Sequence, residues 1–241
     1  MLIINYALLP VRGVLIILAV LAGLLAQLAF FGWVKPASAR RIVTLWSRGM
    51  LACLGVGLHI EHAPQAHTHP SLVVSNHVSW LDILALQAAA PVVFVAKSEI
   101  RSWPVLGWMV SLAGTCFIDR SRRTALRTVH TALTAHLQAA QSVCIFPEGT
   151  TSDGQQVLPF HAGLLQAAID AGVPVQPIRL RYSHPTAAYI GDMTLWNSLL
   201  NVLLTPRLLV NVQVLACVPS AGESRQRLAH VAHEAISNRS A

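Results

Sequence analysis

Charge is what this sequence has least of. Asp, Glu, Lys and Arg make up 11% of its 241 residues, under half of the roughly 25% found in ordinary soluble domains. No acidic residue precedes Glu61, and Lys35 and Lys97 are the only lysines. The four cysteines, Cys53, Cys116, Cys144 and Cys217, have neither C-x-x-C spacing nor the density of a disulfide scaffold, and read as reduced, mostly buried thiols facing the cytoplasm. No Lys/Arg run is interleaved with aromatics, so nucleic acid is not expected as a partner. Internal repeats and low-complexity tracts are also missing.

What is present is apolar and cationic. Residues of the AVILMFWYC set reach 54%, which excludes a disordered chain. The 17 Lys and Arg exceed the 10 Asp and Glu, for a net charge of +7. Scarce charge with a basic excess fits a membrane, apolar inside and anionic at its surface. The length allows one compact domain plus an appendage.

Gly13 to Val34 carries no charge and as a helix would reach about 33 Å, against a hydrocarbon core of about 30 Å. A signal peptide fits less well, because its apolar region is shorter and no A-x-A site precedes Lys35. Arg12 lies on one side and Lys35, Arg40, Arg41 and Arg48 on the other. The positive-inside rule then places the rest of the chain on the cytoplasmic face of the inner membrane. Residues 40–56 fit an amphipathic helix lying in the interface, so a two-helix monotopic anchor stands beside a true span. This divides the chain into an anchor, 1–56, and a catalytic domain, 57–241.

Beyond Gly57, short apolar runs at 57–61, 71–75, 92–96, 115–118, 143–146, 174–180 and 208–216 read as strands, several without alternation and so buried on both faces. Between them lie helical stretches, clearest at 122–140, where Leu126, Val129, Leu133, Leu137 and Ala140 share a face. The expected class is α/β, a mixed, largely parallel sheet flanked by helices. A second apolar patch, residues 193–206, is read either as resting on the bilayer or as closing the core.

The sharpest local pattern is Asn76-His77-Val78-Ser79-Trp80-Leu81-Asp82, directly after a strand. In a continuous helix, His77 and Asp82 would lie about 140° apart. Ser79 with Asp82 looks like a capping box, which starts the helix at Ser79 and leaves His77 in the loop, free to fold back on the carboxylate. A carboxylate beside an imidazole fixes its tautomer and raises its basicity, as a general base near neutral pH requires. Ser79 has no G-x-S-x-G elbow, which argues against a hydrolase nucleophile. An oxyanion would need backbone N–H donors near the helix start or the Gly149 turn. Asp119-Arg120-Ser121-Arg122-Arg123 opens the 122–140 helix, where cations oppose the macrodipole unless an anion such as phosphate sits there. His59, His62, His67 and His69 read as solvated linker rather than a metal site, and His161, after Pro159-Phe160, as a residue near the site because a helix starts there.

On these residues the chain resembles the glycerophospholipid acyltransferases of the lysophosphatidic acid acyltransferase type. The matching motifs run in family order: N-H-x-S-x-x-D at 76–82; Lys97-Ser98-Glu99 with Trp103, Pro104 and Gly107; Gly114 and Phe117-Ile118-Asp119-Arg120; Phe146-Pro147-Glu148-Gly149-Thr150; and Val173-Pro174 with Pro177. The resemblance implies that His77 takes the proton of a lysolipid hydroxyl as it attacks an acyl thioester, with Asp82 orienting the imidazole. It gives Arg120 the acceptor's phosphate and places Glu148, Gly149 and Thr150 at the substrate, with Asn76, Ser79 and Lys97 as support. Glu148 is open to three readings, a ligand for glycerol hydroxyls, a holder of its loop, or the partner of a buried Arg. The implied acceptor is a lysophospholipid, 1-acylglycerol 3-phosphate first and lyso-ornithine lipid second. The donor is acyl-CoA or acyl carrier protein, and neither a metal nor an organic cofactor is implied. One departure stands out, since Thr151 occupies the position where members acting on lysophosphatidic acid commonly carry Arg. A lipid-binding pseudoenzyme and a lipid hydrolase are the rival readings.

Overall fold

The computed structural model describes residues 2–30, 36–63, 66, 70–97, 107, 115–118 and 125–238. The apolar stretch lies in helix α1 (Leu2–Phe30), which begins well before Gly13; residues 31–34 of the expected stretch lie outside the described residues. A charge does not break a helix, and the apolar residues before Arg12 are as able to continue it as those after. Within α1, Ala7–Ala26 is long and apolar enough to cross a membrane. Arg12 lies inside that window instead of flanking it. Its Nη1 donates to the Leu203 carbonyl at 2.7 Å. Helix α2 (Pro36–Leu54) begins with Pro at its first turn, where the missing N–H costs nothing. It ends where Gly55 takes φ +76° and the Val56 N–H closes on Leu51 O. A Cβ at Gly55 would also lie 2.7 Å from Arg12 Cζ, so this glycine supplies both the turn and room for the guanidinium.

Seven strands follow: β1 (Gly57–His62), β2 (Leu72–Ser75), β3 (Val93–Lys97), β4 (Cys116–Ile118), β5 (Val143–Ile145), β6 (Val175–Tyr182) and β7 (Leu209–Val214). They form one sheet in the order β1-β7-β6-β2-β5-β3-β4. Every pairing is parallel except β6 with β7. The mixed, largely parallel sheet is the one the alternation of elements predicts, and β2 is its central strand.

The helices are α3 (Leu81–Ala89), α4 (Ala125–Gln138), α5 (Gln166–Ala171), α6 (Leu195–Leu204) and α7 (Arg225–Ser237). Two apolar clusters sandwich the sheet. On one side Val73, Cys144, Ile178 and Leu180 pack with α2, α3 and α6; on the other Leu72, Val74, Val143, Ile145 and Val175 pack with α4, α5 and α7. Successive strand residues point to opposite faces, so strands covered twice carry no alternation. Burying each of these side chains contributes about 1.5–3 kcal/mol.

Helix α2 belongs to the first cluster through Met50, Leu51 and Leu54. It is tied on by Arg48 Nε to Ala88 O at 2.9 Å, and to α1 by Trp46 Nε1 to Ala19 O at 2.8 Å. The 193–206 patch closes the core in part: α6 buries Ser198, Val202 and Leu203 and leaves Trp196 65% exposed.

Candidate active site

Parallel pairing of β2 with β5 sets the site. Val74 lies opposite Ile145, and the same offset carried past both strand ends brings His77 to Glu148. The His77 N–H donates to Glu148 Oε1 at 2.8 Å. Two motifs distant in sequence thus leave the same edge of the sheet, at the carboxyl ends of its central strands, where open α/β sheets bind their ligands.

On the β6 side Asn76 continues the ladder after β2 stops. Its Nδ2 donates to Leu180 O at 3.0 Å and its Oδ1 accepts the Leu180 N–H at 2.8 Å, so the side chain imitates a strand residue. His77 is held further by its carbonyl, which accepts from Ser152 N at 2.8 Å.

His77 Nδ1 lies 2.8 Å from Asp82 Oδ2, and Asp82 is fully buried. The same oxygen accepts the N–H groups of Val78 at 2.7 Å and Ser79 at 2.9 Å. An ionised carboxylate only accepts, so Nδ1 carries the proton and Nε2 is left with its lone pair. The imidazole lies flat on Phe146, ring centroids 4.0 Å apart and planes at 13°, and its side chain is 21% exposed. A ring stacked on one face and hydrogen-bonded at one nitrogen has little freedom to rotate. The bond to Asp82 occupies Nδ1 and leaves Nε2 as the ring nitrogen free for abstraction of a hydroxyl proton.

Helix α3 begins at Leu81, later than the Ser79 start expected. Trp80 already has helical angles and is the N-cap, without a side-chain cap bond. The reach of Asp82 back to the amides of residues 78 and 79 winds the chain before the first helical hydrogen bond. Ser79 Oγ accepts the Leu81 N–H at 3.4 Å, so its hydroxyl serves the helix start. The amides of His77, Val78 and Ser79 are all taken by carboxylates and that of Gly149 by Phe146 O. None of these four is therefore open to an oxyanion.

Glu148 is buried and uses both oxygens on backbone, Oε1 for His77 N–H and Oε2 for Leu158 N–H at 3.0 Å. Of its three readings, the geometry describes the holder of a loop. Burial pushes its carboxyl above the ordinary range, and the two amides pull the other way. Gly149 has φ +73°, a conformation that favours glycine. It faces His161, which caps the 3-10 turn Ala162–Leu165. Thr150 is exposed beside it. The Thr151 hydroxyl donates to the Tyr189 carbonyl.

Arg120, with Asp119, Arg122 and Arg123, lies outside the described residues, as do Ser98, Glu99, Trp103, Pro104, Gly114, His67 and His69; Lys97 is described only as backbone of β3. One residue of the site escaped sequence reading. Tyr182, at the end of β6, donates its hydroxyl to Asp82 Oδ1 at 2.6 Å. The available signal was period-two alternation beyond residue 180, which puts Tyr182 on the same face as Leu180.

Residues 57–181 match the family model described as Acyltransferase. A 1-acyl-sn-glycerol-3-phosphate acyltransferase of Neisseria meningitidis is 42% identical over 203 residues, covering 80% of this chain and 78% of that protein. A lyso-ornithine lipid O-acyltransferase of Pseudomonas aeruginosa is 37% identical over 202 residues, covering 82% and 78%. The crystal structure of a 1-acyl-sn-glycerophosphate acyltransferase from Thermotoga maritima has a similar fold. Its TM-score is 0.68 at 22% identity, over 93% of this chain and 94% of that one.

Proposed function

The chain belongs to the acyltransferase family, and from that premise we propose that it moves a fatty acyl group from acyl-CoA or acyl carrier protein to the sn-2 hydroxyl of 1-acyl-sn-glycerol 3-phosphate, giving phosphatidic acid. That it is an enzyme acylating a lysolipid follows from its relatives; the donor and the acceptor's head group are the proposal. The observation that carries the chemistry is the His77–Asp82 pair, with Nδ1 committed to the carboxylate and the imidazole side chain 21% exposed.

In this reading the acceptor hydroxyl gives its proton to His77 Nε2 as its oxygen attacks the thioester carbonyl. The tetrahedral adduct collapses with loss of the thiolate, which takes the proton back from the imidazolium. Asp82 holds the tautomer and offsets the transient positive charge. No acyl-enzyme forms, and the reaction calls for neither metal nor organic cofactor. Arg120 holds the acceptor's phosphate in this reading, supported by its place in the Asp119-Arg120-Ser121-Arg122-Arg123 run that precedes α4 in the sequence.

Lyso-ornithine lipid is the second acceptor to test. The observation favouring it is Thr151, whose hydroxyl is committed to Tyr189 O where relatives acting on lysophosphatidic acid commonly place a cation. The apolar α1 and the cationic start of α2 support a catalytic domain on the cytoplasmic side of the inner membrane, in contact with anionic lipid.

The deciding experiment offers lysophosphatidic acid and lyso-ornithine lipid in competition to the purified enzyme with acyl-CoA. Phosphatidic acid as the main product supports the first acceptor, and ornithine lipid the second. Thiol release independent of acceptor would mean a hydrolase, and no release a binding protein.

A further inference from the structure

Asp82 Oδ2 serves three donors, whereas Oδ1 has one hydrogen-bond partner among the described residues, the phenol of Tyr182. The contact is built by the sheet. β6 pairs with β2 as far as Ser75 opposite Ile178 and then runs on past the end of β2, paired only with β7. Asn76 clamps Leu180, and Tyr182, two residues further on the same face, is carried over the start of α3 where Asp82 lies. Its ring packs into the apolar cluster behind the site. Burial, then the neighbouring Asp82 charge, holds the phenol well above its ordinary range, so it stays a donor.

We propose that Tyr182 is a positioning residue of the catalytic pair, its hydroxyl fixing the rotamer of Asp82 and restraining the proton affinity of His77 and Asp82 taken as one unit. The inference rests on the acyl-transfer reading and goes beyond it, because it assigns a third group to the pair. A hydrogen bond donated to an anion stabilises the charged form. Removing it makes the unit take a proton more readily, whichever of its two members holds that proton. Among the described residues two other titratable groups face the pair, both from β5 and its end. The Cys144 thiol is pushed well up by burial and by Asp82 and stays neutral, and Glu148 sits behind the His77 amide. Neither touches Oδ1.

The test is Tyr182→Phe, which keeps the packed ring. The acid limb of kcat/KM against pH is expected to move up by about one pH unit, with kcat about three- to tenfold lower and the acceptor's KM unchanged. The position of a limb does not depend on how much enzyme is folded, so a purely structural loss would scale the whole profile without moving it. A limb superimposed on that of the wild type, or one moved to lower pH, overturns the inference. Absence of acceptor-dependent thiol release from the wild type would instead overturn the acyl-transfer reading.

Discussion

The His77 backbone N–H and the Glu148 carboxylate meet at 2.8 Å across 71 positions of sequence, and the loop carrying the base is set by that bond. Glu148→Gln must turn an NH2 toward one of two backbone N–H donors. We expect about 1–3 kcal/mol of lost stability in denaturant melts and kcat at least about tenfold lower. The pH dependence has a definite sign. The Glu148 carboxyl is raised by burial, so its contribution to stability is full at low pH and is lost as pH rises through the raised value. The stability difference between wild type and Glu148→Gln should therefore narrow as pH rises above the ordinary carboxylate range.

His77→Ala should abolish thioester turnover, by at least about a thousandfold, while the protein still sediments with membranes. Asp82→Asn keeps the shape but offers donors where Oδ2 accepts three bonds. A loss of about a thousandfold or more is expected from the wrong tautomer. Thiol release followed with a chromogenic reagent checks both, and near-normal turnover in either would remove the mechanism.

Asn76→Ala leaves the Leu180 N–H and C=O without the partner that imitates a strand. Each buried orphan costs about 1–3 kcal/mol, so a lower denaturation midpoint is expected, together with reduced kcat because Leu180 also places Tyr182.

Arg120→Ala should raise KM for the phosphate-bearing acceptor about tenfold or more, with a smaller change for lyso-ornithine lipid. Steady-state kinetics with both acceptors decide it; an unchanged KM puts the phosphate elsewhere.

Cys144 is buried with its thiol pushed well up, whereas Cys53 and Cys217 are partly exposed. Under native conditions iodoacetamide should label the latter two and reach Cys144 only on unfolding, as read by peptide mass mapping.

The central strands were legible in the sequence because a strand covered on both faces is a short apolar run between turns, as at Leu72–Ser75 and Val143–Ile145. The extent of α1 was not, because a boundary drawn at Arg12 assumes that charge ends a helix, and the Leu203 carbonyl that accommodates the guanidinium is 191 positions away. The pairing of His77 with Asp82 was readable from local spacing. The Glu148 bond needed the register of two parallel strands, and Tyr182 needed β6 to outrun its neighbour. Both are facts of strand order, which no local pattern contains.

Arg12 joins the apolar helix to the last turn of α6, and Gly55 leaves it the room to do so. A helix fastened in this way is a post, not a tether. The placement of α1 against the domain that carries His77 is then set by packing and by this bond, not by a linker. Deleting residues 1–30 would leave no freely soluble catalytic unit. It would uncover the cluster against which Leu9, Ile16, Ala19 and Val20 pack, and the truncated protein would need detergent where the intact one uses its own helix.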